Sequence, residues 1–515
     1  MQLNARTMPA VQRAATIAVA IVLLSTLLTP LQRELYVGDE TKYSQVVREM
    51  RSGSVFLPTL EGSPFTHKPP LHFWMIRTLT VPFGVYSIWP FVIPSLLAFA
   101  ALLWLLHRFG GMYAAFVGGT SLMIWGSAQT ARMDLTFNAL LVLAALMVER
   151  FFEHDDFRAL LWAALATGFA ALAKGPMAPV IVLTLLLFEG LRRRRMPRGN
   201  YVLPLLAMLA VPLLWLVPAI VIGGENYWRE IFFKQTVGRA VGAWVHKSPP
   251  WFYLTHAPAD TAPWFLLLVV ALIAAYKRND ARAKFFVSWL LAVLVPYSLL
   301  SSKLDVYMMA LLPPVALIIA RLLESEDRWW TWGRRANLTM LGLFAVIGTA
   351  GLFVKPEHIK GPDGALAAMP LVKALFAVLL AAALTGFVVS LRSRDLRVST
   401  LATGLAPLAM FAYIAVALVP LANEMASGRP LIAAIQKQQV PAGEVACHVC
   451  PHLWIRDMPA ELEQVRLVNA AQLTNAPQVI ITRRKDDAAV AAVLRGYRKV
   501  DEFRMIGKWF DVYRR

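Results

Sequence analysis

Asp39 and Glu40 stand in Tyr36-Val37-Gly38-Asp39-Glu40-Thr41-Lys42-Tyr43, a polar stretch that follows an apolar run almost at once. A carboxylate placed there can accept a proton from an attacking hydroxyl or orient it, and it can equally cap a helix. A further acid, Asp134, ends Ala131-Arg132-Met133-Asp134 between two apolar runs, where it too can serve as a cap. Cations recur in similar places: Lys68 in Phe65-Thr66-His67-Lys68-Pro69-Pro70-Leu71, Lys174 in Ala173-Lys174-Gly175-Pro176, and Lys303 with Tyr307 in Ser301-Ser302-Lys303-Leu304-Asp305-Val306-Tyr307. Lysines and arginines stabilise phosphate-like charge without covalent chemistry, although a lone lysine at the end of an apolar run can be only a snorkelling anchor. Ionisable groups at membrane depth are costly, which gives a functional reading weight. Two acids and several cations converging on one surface describe a site for an anionic, lipid-anchored substrate.

The elements that must carry these residues are apolar. Of 515 residues 58% are hydrophobic and 16% charged, far from the balance of an ordinary soluble domain. About thirteen runs have the length and hydrophobicity of membrane spans, with cores near 13–31, 88–107, 112–129, 134–149, 159–174, 176–190, 201–222, 262–276, 285–301, 305–323, 337–354, 368–391 and 398–421. The first reads as an uncleaved helix, because Thr29-Pro30-Leu31 is a poor cleavage site for a signal peptide.

The 51 Lys and Arg against 32 Asp and Glu give a net charge of +19, which could suggest a nucleic-acid partner. Their placement says otherwise. With the N-terminus in the cytoplasm, the cytoplasmic segments hold about 21 Lys and Arg, and the short opposite connections about five. Most of the excess is therefore a topology signal, and no nucleic acid is expected.

That orientation puts 32–86, 223–260 and everything after 422 outside the membrane. The first contains an amphipathic stretch, Tyr43 to Met50, whose Val46, Val47 and Met50 are expected in the membrane interface. The division expected is a transmembrane domain over 1–422 and a small α/β domain over 423–515. In the latter, strands are expected at 445–449, 465–468, 479–482 and 509–513, with helices at 430–438 and 486–494. Cys447-His448-Val449-Cys450-Pro451-His452 is not a haem-attachment order. It leaves a disulfide or structural pair as the plain reading, with zinc or redox chemistry as alternatives.

The Gly-Asp-Glu motif, His67-Lys68-Pro69-Pro70, the Ala-Arg-Met-Asp turn, Ala173-Lys174-Gly175-Pro176, and Ser302-Lys303 to Tyr307 with Pro313-Pro314 together resemble the polyprenyl-phosphate-sugar glycosyltransferases of the GT-C fold. The nearest branches in this resemblance are the aminoarabinose-to-lipid-A transferases and the bacterial proteins similar to protein O-mannosyltransferases. It covers most of residues 15–320 and weakens beyond. It implies an all-α polytopic membrane protein of about thirteen helices with a small extracytoplasmic α/β domain, in the bacterial inner membrane with its site and C-terminus in the periplasm. It further implies transfer of a sugar, with inversion, from an undecaprenyl phosphate donor to a lipid, glycan or protein acceptor, by a monomer among membrane lipids.

Residue by residue, the resemblance makes Asp39 the general base or the acceptor-orienting group, with Glu40 its motif neighbour, and makes Asp134 the acid of the second loop. Lys68, then Lys303 and Tyr307, would hold the lipid phosphate, and Lys42 with Tyr43 would contact the donor. Arg239, in Phe232-Phe233-Lys234-Gln235-Thr236-Val237-Gly238-Arg239, resembles a basic donor-side residue; for it and for Lys174 the anchor reading stays open. His67 and His246, on outer loops that meet in relatives, with His256 nearby, invite a divalent metal ion, but no third ligand is identifiable. A transporter or flippase of a lipid-linked glycan also explains many helices and buried cations, yet it predicts charges at mid-span and broken helices. A membrane scaffold presenting the C-terminal domain leaves the Gly-Asp-Glu and His-Lys-Pro-Pro loop without a role.

Overall fold

The computed structural model describes residues 7–233, 247–355, 364–469, 472–473 and 477–515. The first helix, α1 (Thr7–Gln32), is apolar along its length and leaves Ile17, Leu24 and Leu27 exposed, as a helix does whose surroundings are lipid. It is followed by α2 (Asp39–Ser52), a short hairpin of β1 (Thr59–Leu60) and β2 (Ser63–Pro64), and α3 (Leu71–Phe83). The bundle continues through α4 (Trp89–Gly119), α5 (Leu122–Ala128), α6 (Asp134–His154), α7 (Phe157–Lys174), α8 (Met177–Arg193) and α9 (Val202–Arg229) to later helices ending at Ala426. One large apolar cluster, running from Val22 through Phe116, Val142 and Ala163 to Ile318, binds these helices together.

Among the described residues ten helices are long and apolar enough to cross a membrane, or eleven if Phe252–Asp260 and Phe265–Lys277, bent by 111°, form one broken span. The chain is thus a multi-pass membrane protein, with fewer long helices than the thirteen apolar runs. Three local features account for the difference. The helix α4 doubles back at Gly111 (φ 70°), so that Gly118 lies against Leu106 and Gly119 against Leu103, and two apolar runs share one helical stretch and its continuation α5. The helix α8 has 17 residues, a length of about 26 Å against a hydrocarbon core of about 30 Å. The run at 262–276 is one arm of the bent pair.

The amphipathic stretch is a helix, but its apolar face does not meet lipid. Val46, Val47 and Met50 are buried with Phe73, Ile76, Phe91 and Trp454. A hydrophobic stripe has the same period whether it faces lipid or protein; here α3 and a segment of the C-terminal region supply a protein surface.

Beyond the bundle lies a five-stranded sheet of order β4-β3-β5-β7-β6, formed by β3 (Val445–His448), β4 (Arg466–Val468), β5 (Val479–Arg483), β6 (Arg498–Met505) and β7 (Lys508–Arg514). The strand β3 pairs in parallel with β4 and β5, and β7 pairs antiparallel with β5 and β6. Helices at Arg429–Lys437 and Asp487–Leu494 cover it where helices were expected. The edge strand β6 was not foreseen, because Arg498-Lys499-Val500-Asp501-Glu502 is polar and largely solvent-facing. The helix Val419–Ala426 runs across the expected 422/423 division. Cys447 and Cys450 form a disulfide.

Candidate active site

Gly38, at φ 125°, turns the chain into α2 in a conformation that glycine alone adopts without strain. The first helical turn then carries Asp39 and Glu40, which suits the positive end of the helix dipole. Their fates differ. Glu40 is buried: its carboxylate pairs with Arg33 and accepts the amides of Tyr36 at 2.8 Å and Ala131 at 2.7 Å. Asp39 keeps a side chain that is 43% exposed and meets Arg132 at 3.4 Å.

The same Arg132 donates from Nε to Asp134 at 3.0 Å. Asp134 opens α6 and is only 1% exposed; its other oxygen takes the ammonium of Lys174 at 2.5 Å. Lys174 is brought there because α7 stops at Gly175 (φ 113°) and Pro176, leaving the lysine as its last residue. The ammonium also lies over the rings of Tyr307, at 5.0 Å, and Phe137, at 5.3 Å. Tyr307 stacks on Tyr297 with 4.9 Å between ring centres. Asp39, Arg132, Asp134, Lys174 and Tyr307 therefore form one connected group.

Tyr43 and His72 line this group from α2 and α3. The Tyr43 hydroxyl is buried without a hydrogen-bond partner among the described residues, and its ring meets Phe73 edge-on at 5.3 Å. Burial pushes that phenol far above its ordinary range, as do the carboxylates of Asp39, Asp134 and Glu40, with Arg132 acting the other way. It stays a neutral donor. His72 is fully buried against the Ala131 backbone. Burial lowers it to about 4, against the weaker opposite influence of the Ala131 backbone and the Asp134 carboxylate.

The other expected residues are distributed over the adjoining loops and helices. Lys68 is half-buried in the turn before α3, and Lys42, half-buried on α2, lies near enough to His452 for its charge to act on that ring. The Lys303 ammonium is taken up by the carbonyls of Ser248, at 3.1 Å, and Leu300. It is 3% exposed, and these two contacts staple its loop. The exposed His67 ring packs on Phe65 at 5.2 Å. Arg239 and His246 lie outside the described residues. Among the described residues no group of three His, Cys, Asp or Glu side chains could hold a metal ion; His246 is not among them, and no step is written through a metal. Arg132, Arg33 and His72 were missed from the sequence; Arg132 stood inside the Ala-Arg-Met-Asp turn, two residues before Asp134, and that was the available signal.

Residues 67–218, which include His67, Lys68, Asp134 and Lys174, match the family model described as dolichyl-phosphate-mannose-protein mannosyltransferase. The chain is 32% identical over 322 residues to the undecaprenyl phosphate-alpha-4-amino-4-deoxy-L-arabinose arabinosyl transferase of Pseudomonas aeruginosa (strain LESB58), a match covering 58% of each protein. To the enzyme of that name from Aeromonas salmonicida (strain A449) it is 28% identical, over 70% of this chain and 71% of that one. The chain thus spans somewhat more than half the length of the curated relatives it matches first. The crystal structure of ArnT from Cupriavidus metallidurans bound to undecaprenyl phosphate superposes with a TM-score of 0.73 at 17% identity, over 96% of this chain and 97% of that one. Its apo form gives the same score. The fold is that of ArnT, and motifs, matched segment and relatives agree on one resemblance: the chain is similar to the GT-C glycosyltransferases of the aminoarabinose transferase and protein mannosyltransferase kind.

Proposed function

We propose that the chain is an inverting glycosyltransferase that moves a sugar from undecaprenyl phosphate to an extracytoplasmic acceptor such as lipid A. It works as a monomer in the bacterial inner membrane, with its N-terminus in the cytoplasm and its site and C-terminus in the periplasm. The observation that carries this reading is the underpaired carboxylate of Asp39, half exposed beside Arg132 at the same end of the bundle as Asp134 and Lys174. In the proposed step the acceptor hydroxyl attacks the anomeric carbon as Asp39 takes its proton. The sugar–phosphate bond breaks in the same displacement, and the polyprenyl phosphate leaves with its growing charge met by Lys68 and Arg132. Where the acceptor is itself a phosphate, no proton need leave and Asp39 positions the nucleophile instead. Asp134, already neutralised by two cations, orients rather than reacts. Paired charges at the helix ends support transfer over transport of a lipid-linked glycan, which calls for charge at mid-span.

The test is transfer by the purified protein in nanodiscs, with an undecaprenyl-phosphate-linked sugar as donor and lipid A as acceptor, read by mass spectrometry of both. A mass gain on lipid A with release of undecaprenyl phosphate is expected. Failure with lipid A, envelope glycan and exported-protein acceptors alike, alongside donor movement between leaflets, would establish the transport reading. The step as proposed is written without a divalent ion. Chelation with EDTA tests whether one takes part: an unchanged rate supports the purely cationic route, and a rate lost and restored by Mg²⁺ would bring His67 back as a ligand.

A further inference from the structure

A helix leaves its last carbonyls without partners of their own, and at the end of α1 the groups that satisfy them come from the far end of the chain. Asn423 accepts the Glu34 amide at 3.0 Å and donates to the Gln32 carbonyl at 2.6 Å. Arg456 donates from one nitrogen, Nη2, to the carbonyls of Pro30, at 2.7 Å, and Arg33, at 2.9 Å. A cation is favoured there by the helix dipole.

Arg456 is held by what precedes it. Trp454 is fully buried in the cluster of the first outer segment, edge-on to Phe91 at 5.9 Å, and its indole donates to the Val85 carbonyl at 3.1 Å. Just upstream the Cys447–Cys450 disulfide ties the segment to β3. Between the two cysteines Val449 sits at φ 55°, a left-handed conformation that β-branched residues rarely adopt.

From Arg33 the contacts run on without a break. Its guanidinium donates to the Gln129 carbonyl at 2.9 Å and pairs with Glu40. Glu40 accepts the Ala131 amide, and the next residue, Arg132, reaches both Asp39 and Asp134. Arg33 and Glu40 are 3% and 5% exposed, so little water screens this path.

We propose that Arg456, seated by Trp454 and the disulfide, is a positioning residue for the acids: it fixes Asp39 and Asp134 through Arg33 and Glu40 without touching substrate. The inference rests on the transferase reading above for its kinetic consequence. For its physical part it stands on the contacts alone.

Transfer kinetics on the full chain in nanodiscs, with an undecaprenyl-phosphate-linked sugar as donor, compare wild type with Arg456→Ala and Arg456→Lys. In Arg456→Ala kcat should fall about 10- to 100-fold, the scale on which a remote misplacement acts. The donor KM should stay within about twofold. Arg456→Lys should recover most of the loss, because one ammonium can donate to both carbonyls. Full kcat in Arg456→Ala, or a loss that lysine leaves untouched, overturns the proposal.

Hydrogen exchange supplies a readout that needs no transfer. In Arg456→Ala the Tyr36 and Ala131 amides should exchange about tenfold faster or more, with the α6–α7 core unchanged. Unchanged exchange at those two amides, or a rise spread through α6 and α7, overturns the proposal. Should the wild type transfer no sugar, the transferase reading falls, and exchange by itself decides whether Arg456 governs the acid-bearing loop.

Discussion

The two ends of the helical bundle hold charge in different ways. At the arginine-rich end the acids are held in short pairs: Glu189 takes Arg192 and Arg193, the latter also meeting Glu153; Glu149 takes Arg282 at 2.8 Å; Asp280 takes Arg321 at 2.9 Å, which also meets Glu324; and Asp327 takes Arg278 at 2.7 Å. At the opposite end Arg132 is divided unequally, at 3.0 Å from Asp134 and 3.4 Å from Asp39. Asp134 has Lys174 as well, so Asp39 is left with a single contact of 3.4 Å and a side chain nearly half open. The first arrangement neutralises charge in local sets, which suits the fixing of helices and of orientation. The second keeps one carboxylate underpaired, which is what a reacting group needs.

Substitutions at the two ends should separate these roles. The largest effect is expected at Asp134, whose loss leaves Lys174 and Arg132 facing each other. Asp134→Ala should lower stability by about 3–5 kcal/mol in thermal unfolding, and an unchanged melting temperature would show that the two cations find other partners. Asp39→Asn should reduce turnover about 10²- to 10⁴-fold with an unchanged melting temperature. Full activity in that variant would remove Asp39 from the chemistry. At the other end Glu189→Gln should cost about 1.5–3 kcal/mol and leave kcat as it was; a kcat loss without a stability loss would erase the contrast between the ends.

A smaller effect should depend on pH. Burial first, then the charges of Lys42 and Arg48, hold His452 at about 4, with Glu49 acting weakly the other way and Glu61 at 3.7 Å. This ring protonates more readily unfolded than folded, so its contribution is whole above about 6.5 and is lost as pH falls toward 4. Partial exposure reduces that contribution to about 1–2 kcal/mol. Thermal unfolding at pH 7 and pH 4.5 should show a shallower loss in His452→Gln than in wild type, and identical slopes would assign the pH dependence to other groups. The smallest effect expected is at Lys68, where alanine should weaken donor binding about tenfold, one lost charge-assisted contact, without affecting stability. Unchanged affinity by titration with undecaprenyl phosphate would move the phosphate site elsewhere.

Much of this was legible because charged motifs stand out against apolar sequence. Asp39, Asp134 and Lys174 were singled out from three separate turns, and the structure joins the two acids through Arg132 and pairs Lys174 with Asp134. The strands β3, β5 and β7 announced themselves by runs such as Val479-Ile480-Ile481, whereas polar β6 did not. What stayed hidden was partnership. Glu40 looked like a second catalytic acid, but only the folded chain shows Arg33 and two amides closing around it. Lys303 looked like an anion binder because a cation at an outer turn resembles one, and the carbonyls that hold it are set by a loop path that leaves no periodic trace. His72 lay in a plain apolar helix, where nothing in the spacing marks a ring buried beside Asp134.

The capping of α1 has a consequence in time. Its last turn is synthesised early, yet Asn423 is translated 389 residues after the Glu34 whose amide it accepts, and Arg456 later still. At about 5–20 residues per second that interval is roughly 20–80 s. Through it the segment holding Asp39 waits beside an uncapped helix end, so a chain truncated before Arg456 would reach the membrane with its spans in place and its acids unset.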